Sequence, residues 1–334
     1  MNLSLDATYS AIQVHADKDG ELRVSFERLP FSQLNANQLL VKISYSSINY
    51  KDILTITGKD GFHHNYPHVP GIDAVGEVVE SKSNKYKNGD RVLVMASGMG
   101  LQTDGGLAQY AYVREEWVMR LPEFLTEKEA MVYGTAGLTA AFCVDELLKR
   151  TPINSSKPIL VTGGASGVGL TAVLMLLTEG KTVLTSTSSH IFHNTFKDED
   201  SLSIINSLED SNNATFSLLP ERWSGCIDTT GGQSLNIVLK SLCKTSAVIC
   251  AGMTAGVEIE INLYPFILRA ISMVGVNTES MDQTLRHEVM RKYMQASVTK
   301  KLTEIANEIT LKEVPEFLNF RGERKFAGRT IVRM

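Results

Sequence analysis

The sequence predicts an α/β protein with two domains, one rich in β-strands and one doubly wound around a parallel sheet. Its 334 residues exceed what one ordinary hydrophobic core organises. Short β-prone segments separated by glycine and proline dominate the first ~125 residues. From Pro158 onward, strand-like and helix-like segments alternate, which is typical of βαβ units and a parallel sheet.

Composition and charge narrow the classes of function. Hydrophobic residues make up 43% and charged residues 21% of the chain, which is ordinary for a globular enzyme. A net charge of −4 offers no basic surface for nucleic acid. No run approaches ~18 consecutive apolar residues, and the first twenty residues lack the pattern of a signal peptide. We therefore expect a cytoplasmic protein with neither nucleic acid nor membrane as partner.

The β-rich part contains six segments with the composition of strands. They are residues 11–14, 23–28, 39–46, 74–80, 90–95 and 108–113. A helix is predicted to begin near Thr126, because Thr126 and Glu129 form a capping-box pattern, and to run to residue 149.

The second half alternates between strands and helices. Strands are predicted at residues 158–163, 181–187, 226–228 and 248–251, and a helix at 168–178. The last segment, 328–334, has strand composition and predicts that the chain returns to the first domain. We therefore expect one domain at residues 1–127 and 300–334 and the other at 128–299.

A glycine-rich loop provides the strongest motif. The sequence VTGGASGVG, residues 161–169, follows a predicted strand and opens a predicted helix. Glycines let the backbone approach a pyrophosphate, and free N–H groups at the helix start bind it. The candidate cofactor-binding residues of this loop are Ser166, Gly167, Val168 and Gly169. The alternative is a tight turn with a purely structural role.

The end of the next strand bears on which dinucleotide is bound. It carries four hydroxyl residues, Ser186, Thr187, Ser188 and Ser189. NAD sites usually place a carboxylate here for the ribose hydroxyls, yet the next acidic residue is Asp198. Hydroxyl groups can donate to a 2′-phosphate, so the sequence favours NADPH. The arginine expected after this strand is missing, and only His190, Lys197 or the distant Arg222 could supply positive charge. A plain serine-rich loop is the alternative.

The segment SINYKD, residues 47–52, places polar side chains directly after an apolar, β-prone run. Asn49, Tyr50 and Asp52 are the candidate catalytic residues of the first domain. Either the segment is a polar turn that closes a strand, or it is part of a site built at a strand end.

Several phrases distributed over nearly the whole chain carry a family resemblance. They are SSINYKD, PHVPGIDAVGEVV, DGGLAQYAYV, EAMVYGTAGLTAA, VTGGASGVG, DTTGG and YPFILRAISMVGV. Together they resemble the zinc-free medium-chain dehydrogenases/reductases of the YhdH/YhfP quinone oxidoreductase-like (acryloyl-CoA reductase) family. The resemblance implies a GroES-like catalytic domain, a Rossmann domain and oxidoreductase activity.

The resemblance also raises the question of zinc. Zinc-dependent relatives carry cysteine where this chain has Asn49, histidine where it has Ile72, and another cysteine near Val132. Isoleucine and valine cannot ligate zinc, so we expect a zinc-independent site with no metal.

Other potential metal ligands are weaker candidates. Three histidines, His63, His64 and His68, fall in a short stretch, where a polar surface loop is the alternative to a metal site. The four cysteines are Cys143, Cys226, Cys243 and Cys250. None forms a CxxC pair and all lie in apolar surroundings, which predicts buried free thiols.

The family resemblance implies a chemistry. Hydride passes from NADPH to the β-carbon of acryloyl-CoA, a related enoyl thioester or an enone, and a proton follows to the α-carbon. Tyr50 is expected to hydrogen-bond the cofactor or substrate and to supply that proton, Asn49 to act as an amide donor, and Asp52 to orient its neighbours. The alternatives are a quinone oxidoreductase and a non-catalytic NADPH-binding redox sensor.

Further cofactor contacts follow from the resemblance. Thr135, Met253 and Thr278 correspond to positions near the nicotinamide, and residues 228–232 to the floor of the cleft. For Thr135 a helix N-cap is the alternative, and for the others core packing or a turn.

Two kinds of partner are expected. The apolar segment 270–276 corresponds to a sheet edge through which relatives form homodimers, and its exposure would favour aggregation. Arg321, Arg324 and Lys325 would meet the phosphates of coenzyme A, or form a solvated basic turn.

Overall fold

The computed structural model describes residues 7–58, 65–151, 155–208, 216–319 and 327–334, and these form two compact units. The first comprises residues 7–135, 306–319 and 329–334, and the second 136–305 with 327–328. The division lies at 135/136 and 305/306, a few residues beyond the predicted 127/128 and 299/300. The assignment of catalytic and dinucleotide-binding roles to these units stays a prediction.

The strands and helices of the described residues are as follows. The strands of the first unit are β1 (Thr8–Ala16), β2 (Leu22–Pro30), β3 (Gln38–Ile48), β4 (Ala74–Ser81), β5 (Arg91–Val94), β6 (Tyr110–Arg114), β7 (Val118–Arg120), β14 (Asn307–Thr310) and β15 (Thr330–Arg333). Those of the second are β8 (Ile159–Thr162), β9 (Val183–Ser186), β10 (Leu202–Ile205), β11 (Gly225–Asp228), β12 (Ala247–Cys250) and β13 (Ser272–Gly275). The helices are α1 (Tyr50–Thr57), α2 (Glu127–Arg150), α3 (Gly167–Thr178), α4 (His190–Thr195), α5 (Gln233–Ser241), α6 (Tyr264–Arg269), α7 (Gln283–Tyr293), α8 (Ala296–Ile305) and α9 (Val314–Asn319). Short 3₁₀ turns lie at Glu115–Trp117, Thr278–Ser280 and Leu311–Glu313.

The first unit is built on a mainly antiparallel sheet with the strand order β14-β15-β3-β4-β5-β7, and β6 also pairs with β3. Strands β1 and β2 form a separate antiparallel pair. Along β3, Val41 and Ile43 are buried while Lys42 between them is exposed, the alternation expected of a pleated strand. The chain ends inside this sheet, because β15 pairs with β3.

The second unit contains six parallel strands in the order β10-β9-β8-β11-β12-β13. The chain runs outward from β8 to β10, then returns to the other side of β8 with β11. This reversal creates a topological switch point between β8 and β11, where doubly wound proteins bind dinucleotides. All residues of β8 and β11 are buried, as expected for central parallel strands covered on both faces. The predicted fold class is confirmed.

Helix α2 begins with the predicted capping box: the Thr126 N–H donates to Glu129 Oε2 at 2.8 Å, and the Glu129 N–H donates to Thr126 Oγ1 at 3.2 Å. Its backbone leaves helical geometry at Gly134. Within the described residues, α2 alone has the length and composition to cross a membrane. Of its most apolar stretch 78% is buried inside the protein, as in the core helix of a globular protein.

The segment after β3 differs from the predicted turn. Strand β3 continues to Ile48, and α1 begins at Tyr50 after one extended residue, Asn49. The Asn49 N–H donates to the Asp52 carboxylate three residues later, which satisfies a free donor at the helix start. A strand therefore passes directly into a helix.

The described cysteines are all free, and three are buried as predicted, while Cys250 is half-buried. Several residues of interest lie outside the described part of the chain. They are His63, His64, Arg321, Arg324 and Lys325.

One edge of the second unit's sheet is apolar and exposed. Strand β13 is the terminal strand, and large apolar side chains of α6 and its N-cap, which precede β13 in sequence, face solvent. Leu263 is 67% and Ile267 is 72% exposed, and Met273 on β13 itself is also exposed. An edge strand beside apolar side chains is a surface on which a second sheet edge can pair.

We predict that the chain forms a homodimer through this edge. Light scattering at micromolar concentration should give twice the chain mass. The double variant Ile267→Glu/Leu268→Glu should give the monomer mass, because charged side chains cannot be buried unpaired. Phe124→Glu, which changes an exposed apolar residue of the first unit, should leave the mass unchanged. A monomeric wild type would contradict the prediction.

Candidate functional site

The segment 49–52 combines one exposed side chain with buried neighbours. Tyr50, the first residue of α1, is 42% exposed, whereas Asp52 is completely buried and Asn49 is half-buried. The Asp52 Oδ2 accepts the Asn49 N–H at 2.7 Å. Of the three candidate catalytic residues, Tyr50 presents the most surface to solvent.

Asp52 fastens α1 to the loop that precedes β4. Its Oδ1 accepts the N–H groups of Gly71 and Ile72, both at 3.0 Å. Burial raises the pKa of Asp52 to about 7, and the neighbouring Asp73 carboxylate adds to this rise. Three backbone N–H groups, those of Asn49, Gly71 and Ile72, therefore donate to this one carboxylate.

The side-chain amide of Asn49 lies between two buried charges. Its Nδ2 donates to Asp73 Oδ2 at 2.8 Å, and its Oδ1 accepts from Arg329 Nη1 at 2.9 Å. Arg329 also donates to the carbonyls of Ile48 and Val132, at 3.3 and 3.2 Å. Asn49 thus belongs to a buried polar network that joins three segments of the first unit.

Sequence reasoning missed Asp73 and Arg329. Asp73 follows the apolar Ile72 and precedes β4, and Arg329 directly precedes the apolar β15. A charged residue next to an apolar strand is a weak signal of a buried ion pair, and only the fold shows that these two meet.

Two of the three positions at which the family resemblance places zinc ligands are apolar here. Ile72 and Val132 are both buried and offer no ligand atom. Within the described ranges, no group of three His, Cys, Asp or Glu side chains forms a potential metal site. His68 is buried, with Nε2 3.0 Å from the Gly100 carbonyl oxygen and Nδ1 3.5 Å from Asp104.

The glycine loop of the second unit has the packing expected of a phosphate cradle. Ser166 caps α3, because its hydroxyl accepts the Gly169 N–H at 3.0 Å. A Cβ atom on Gly169 would clash with the Gly163 carbonyl, so this position requires glycine. Gly169 itself is buried, while Ser166, Gly167 and Val168 are partly exposed at the helix start. The Ser166 N–H donates to the Gly163 carbonyl at 2.8 Å. The N–H groups of Gly167 and Val168 are those that a helix start offers to an anion.

Asp228 ties the loops after β8 and β11 together at the switch point. This buried carboxylate accepts from Thr162 Oγ1 at 2.6 Å, Gly231 N at 2.8 Å and Thr230 Oγ1 at 3.1 Å. The Thr229 hydroxyl donates to the Thr162 carbonyl at 2.8 Å. Residues 228–232 therefore form a fixed wall beside the glycine loop.

The hydroxyl residues at the end of β9 lie at the carboxyl end of their strand, as the glycine loop does at the end of β8. Gly164 N donates to the Ser186 carbonyl at 3.1 Å, which links this segment to the glycine loop. Ser189 caps α4 and donates its own N–H to Thr187 Oγ1 at 3.2 Å. Ser188 and His190 are exposed.

Met253 and Thr278 lie at different depths of the second unit. Met253 is exposed on a segment that is fixed by the Ala255 N–H, which donates to the Thr230 carbonyl at 2.8 Å. Thr278 is buried, and its carbonyl accepts from Arg286 Nη2 at 2.9 Å.

Thr135 directly follows the interruption at Gly134. Its hydroxyl donates to Asp73 Oδ1 at 2.5 Å and accepts the Ala96 N–H at 2.8 Å. Thr135 thus belongs to the buried network of the first unit, together with Asn49.

Comparison with known proteins identifies the class. Residues 35–123 match the family model of the alcohol dehydrogenase GroES-like domain. The chain is 33% identical over 332 residues to the putative quinone oxidoreductase YhfP of Bacillus subtilis, covering 99% of this chain and 100% of that one. It is 32% identical over 317 residues to the probable acrylyl-CoA reductase AcuI of Escherichia coli, covering 95% and 97%.

Solved structures agree with this likeness. The yhdH oxidoreductase from Salmonella enterica in complex with NADP is 32% identical with a TM-score of 0.87, covering 97% of this chain and 99% of that one. Bacillus subtilis yhfP with NAD bound is 33% identical with a TM-score of 0.89, covering 98% and 100%. A GroES-like domain with these neighbours defines a medium-chain dehydrogenase/reductase. Within that superfamily the chain belongs to the YhdH/YhfP quinone oxidoreductase-like family, which includes acryloyl-CoA reductases, as the sequence motifs predicted.

We predict that Asp52 makes stability fall as pH rises. Its pKa is 3.8 in its ordinary state and about 7 in the folded protein, so the folded state binds more protons between these values. The free energy of unfolding should therefore fall by up to ~1.4 kcal/mol per pH unit between pH ~4 and ~7 from this group, and level off above. Urea unfolding at several pH values measures this slope.

Asp52→Asn should be less stable but should lose this part of the slope, because its side chain does not titrate. Asp19→Asn, which changes an exposed carboxylate of the same unit, should retain the wild-type slope. Equal slopes for wild type and Asp52→Asn would show that Asp52 is already ionised throughout this range.

Proposed function

We propose that the protein is an NADPH-dependent reductase of activated C=C bonds, with acryloyl-CoA or a related enoyl thioester or enone as substrate. The observation that carries this proposal is the phosphate cradle at the switch point, formed by residues 166–169 and braced by Asp228. Family membership supports oxidoreductase chemistry. In this proposal the enzyme works in the cytoplasm as a homodimer.

The choice of NADPH follows from the residues after β9. One relative was crystallised with NADP and another with NAD, so likeness alone does not separate the two cofactors. In this chain the segment Ser186 to Ser189 offers hydroxyl groups and an exposed His190, and no carboxylate that would repel a 2′-phosphate. These features favour NADPH over NADH.

The cofactor supplies the hydride, and the protein orients the reactants and stabilises charge. As hydride adds to the β-carbon, the electron pair of the C=C bond moves toward the carbonyl oxygen, which becomes negative. A hydrogen-bond donor at that oxygen stabilises the enolate, and a proton then completes the α-carbon. We assign both the hydrogen bond to the oxygen and the proton for the α-carbon to Tyr50, because its phenol is exposed at the start of α1.

Asn49 and Asp52 take supporting roles in this scheme. The amide of Asn49 donates to Asp73 and accepts from Arg329, and Asp52 accepts backbone N–H groups. We infer that both hold the backbone that carries Tyr50. Thr135, Met253 and Thr278 remain the proposed contacts on the nicotinamide side.

A quinone oxidoreductase is the second candidate. The observation that favours it is the 33% identity to a putative quinone oxidoreductase over nearly the whole of both chains. Quinones and enones both accept hydride conjugate to a carbonyl, so the same residues would serve either substrate.

A substrate panel separates these functions. We predict that kcat/KM is highest for acryloyl-CoA with NADPH, lower for methyl vinyl ketone, and lower again for acryloyl-CoA with NADH. Initial rates of cofactor oxidation are measured for each of these combinations and, in the same experiment, for 1,4-benzoquinone. A faster reaction with the quinone would identify the second candidate, and tight NADPH binding without turnover would identify a redox sensor.

We predict that Tyr50→Phe lowers kcat for the best substrate by about 10²-fold or more, because it removes the proposed proton donor. Stopped-flow measurement of the single-turnover rate tests this. Tyr264→Phe, which changes another exposed tyrosine, serves as the control and should keep the wild-type rate. Turnover of Tyr50→Phe near that of wild type would rule out the role as donor.

A further inference from the structure

The side chain of Asp73 accepts hydrogen bonds from three uncharged residues. It is completely buried and directly precedes β4. Its Oδ2 accepts from Ser47 Oγ at 2.6 Å, Asn49 Nδ2 at 2.8 Å and the Thr135 N–H at 2.9 Å, and its Oδ1 accepts from Thr135 Oγ1 at 2.5 Å. Arg329 Nη2 lies 3.5 Å from Oδ2 and balances the charge. One carboxylate thus connects β3, the residue before α1, and the interruption in α2.

Gly134 shows how closely the backbone of α2 approaches this carboxylate. Its φ of 52° and ψ of −159° belong to a region that other residues rarely adopt. A Cβ atom at this position would clash with Asp73 Oδ2 and Arg329 Nη2. The unusual conformation turns the next N–H, that of Thr135, toward Asp73. The position of Thr135 therefore depends on Asp73.

The same carboxylate fixes which way the Asn49 amide points. An amide has two orientations that exchange its oxygen and its NH₂ group. An ionised carboxylate only accepts hydrogen bonds, and a guanidinium only donates them. Asp73 on one side and Arg329 on the other therefore permit a single orientation, with NH₂ toward Asp73 and oxygen toward Arg329.

We propose that Asp73 is a positioning residue for the reaction: it sets the places of Thr135 and Asn49, and through them the groups that meet the cofactor and substrate. This rests on the proposed function, in which Thr135 contacts the nicotinamide side and Asn49 precedes Tyr50. A buried charged pair with satisfied hydrogen bonds holds these residues in one arrangement, because any shift leaves a buried donor or acceptor unpaired.

The central variant is Asp73→Asn. With its NH₂ group at the Oδ2 position, the asparagine would face three donors, those of Ser47, Asn49 and the Thr135 N–H. With NH₂ at the Oδ1 position, the hydrogen bond with Thr135 Oγ1 would have to reverse its direction. In either orientation Arg329 loses the opposite charge that Asp73 supplies. We expect the dissociation constant of NADPH, measured by fluorescence, to rise about fivefold or more, as for a lost hydrogen bond. We expect the single-turnover rate of hydride transfer to fall about tenfold, with an increased isotope effect from NADPH deuterated at the transferred position.

Asp90→Asn is the matched control. Asp90 is another buried carboxylate of the first unit that pairs with an arginine, Arg120, at 2.9 Å. Its loss should lower the melting temperature but leave NADPH affinity and the isotope effect unchanged. All kinetics are measured well below each variant's melting temperature, so that lost stability alone does not change them.

The variant Thr135→Val tests whether Asp73 affects NADPH binding through Thr135 or whether its loss disturbs the structure in general. It removes the hydroxyl but keeps the buried charges, and it should raise the NADPH dissociation constant in the same way. If Asp73→Asn acts through Thr135, the double variant should lose little more affinity than either single one. If Asp73→Asn fails to fold, Thr135→Val decides alone.

Two results would overturn the proposal: wild-type NADPH affinity and hydride transfer in folded Asp73→Asn, or wild-type NADPH affinity in Thr135→Val. NADPH affinity can be measured without any substrate that accepts hydride. A wild-type protein that binds NADPH but reduces no substrate would therefore contradict the proposed function, while the comparison of NADPH affinities would still judge the role of Asp73.

Discussion

The first unit depends on a buried ion pair, Asp73 with Arg329. Two buried charges are costly to remove from water unless their hydrogen bonds are satisfied, and here both are surrounded by partners. Arg329 lies just before the last strand, and its partners lie in β3, before β4 and in α2, so the C-terminal strand is needed to complete the network. Loss of one charge would leave the other uncompensated, at a cost of ~3–5 kcal/mol.

In the second unit, too, a buried carboxylate holds separate segments together. Asp228 accepts hydrogen bonds from the end of β8 and from its own loop, and so holds the loops on both sides of the switch point. In each unit one buried carboxylate fixes segments that must keep a defined shape. The exposed groups beside them, Tyr50 in the first unit and the start of α3 in the second, are those that remain accessible to small molecules.

The fold was predictable because its signals are local. Alternation along β3, the capping box at Thr126 and the glycine loop before α3 all act over a few residues. The ion pair was not predictable, because Arg329 and Asp73 lie 256 residues apart in sequence. The helix after SINYKD was missed although its signal was local: Asn49 followed three residues later by Asp52 is a helix-start pattern, and the polar run was interpreted as a turn.

The buried network also organises the segment to which the family resemblance assigns the metal site of zinc-dependent relatives. A metal fixes its ligands by its charge and geometry. Here the guanidinium of Arg329 supplies the positive charge and Asp73 the negative charge, and the side chains of Ile72 and Val132 are buried and apolar. Such an arrangement holds the backbone that leads into Tyr50. It therefore suits a reaction in which the cofactor supplies the hydride and the protein supplies position and a hydrogen-bond donor.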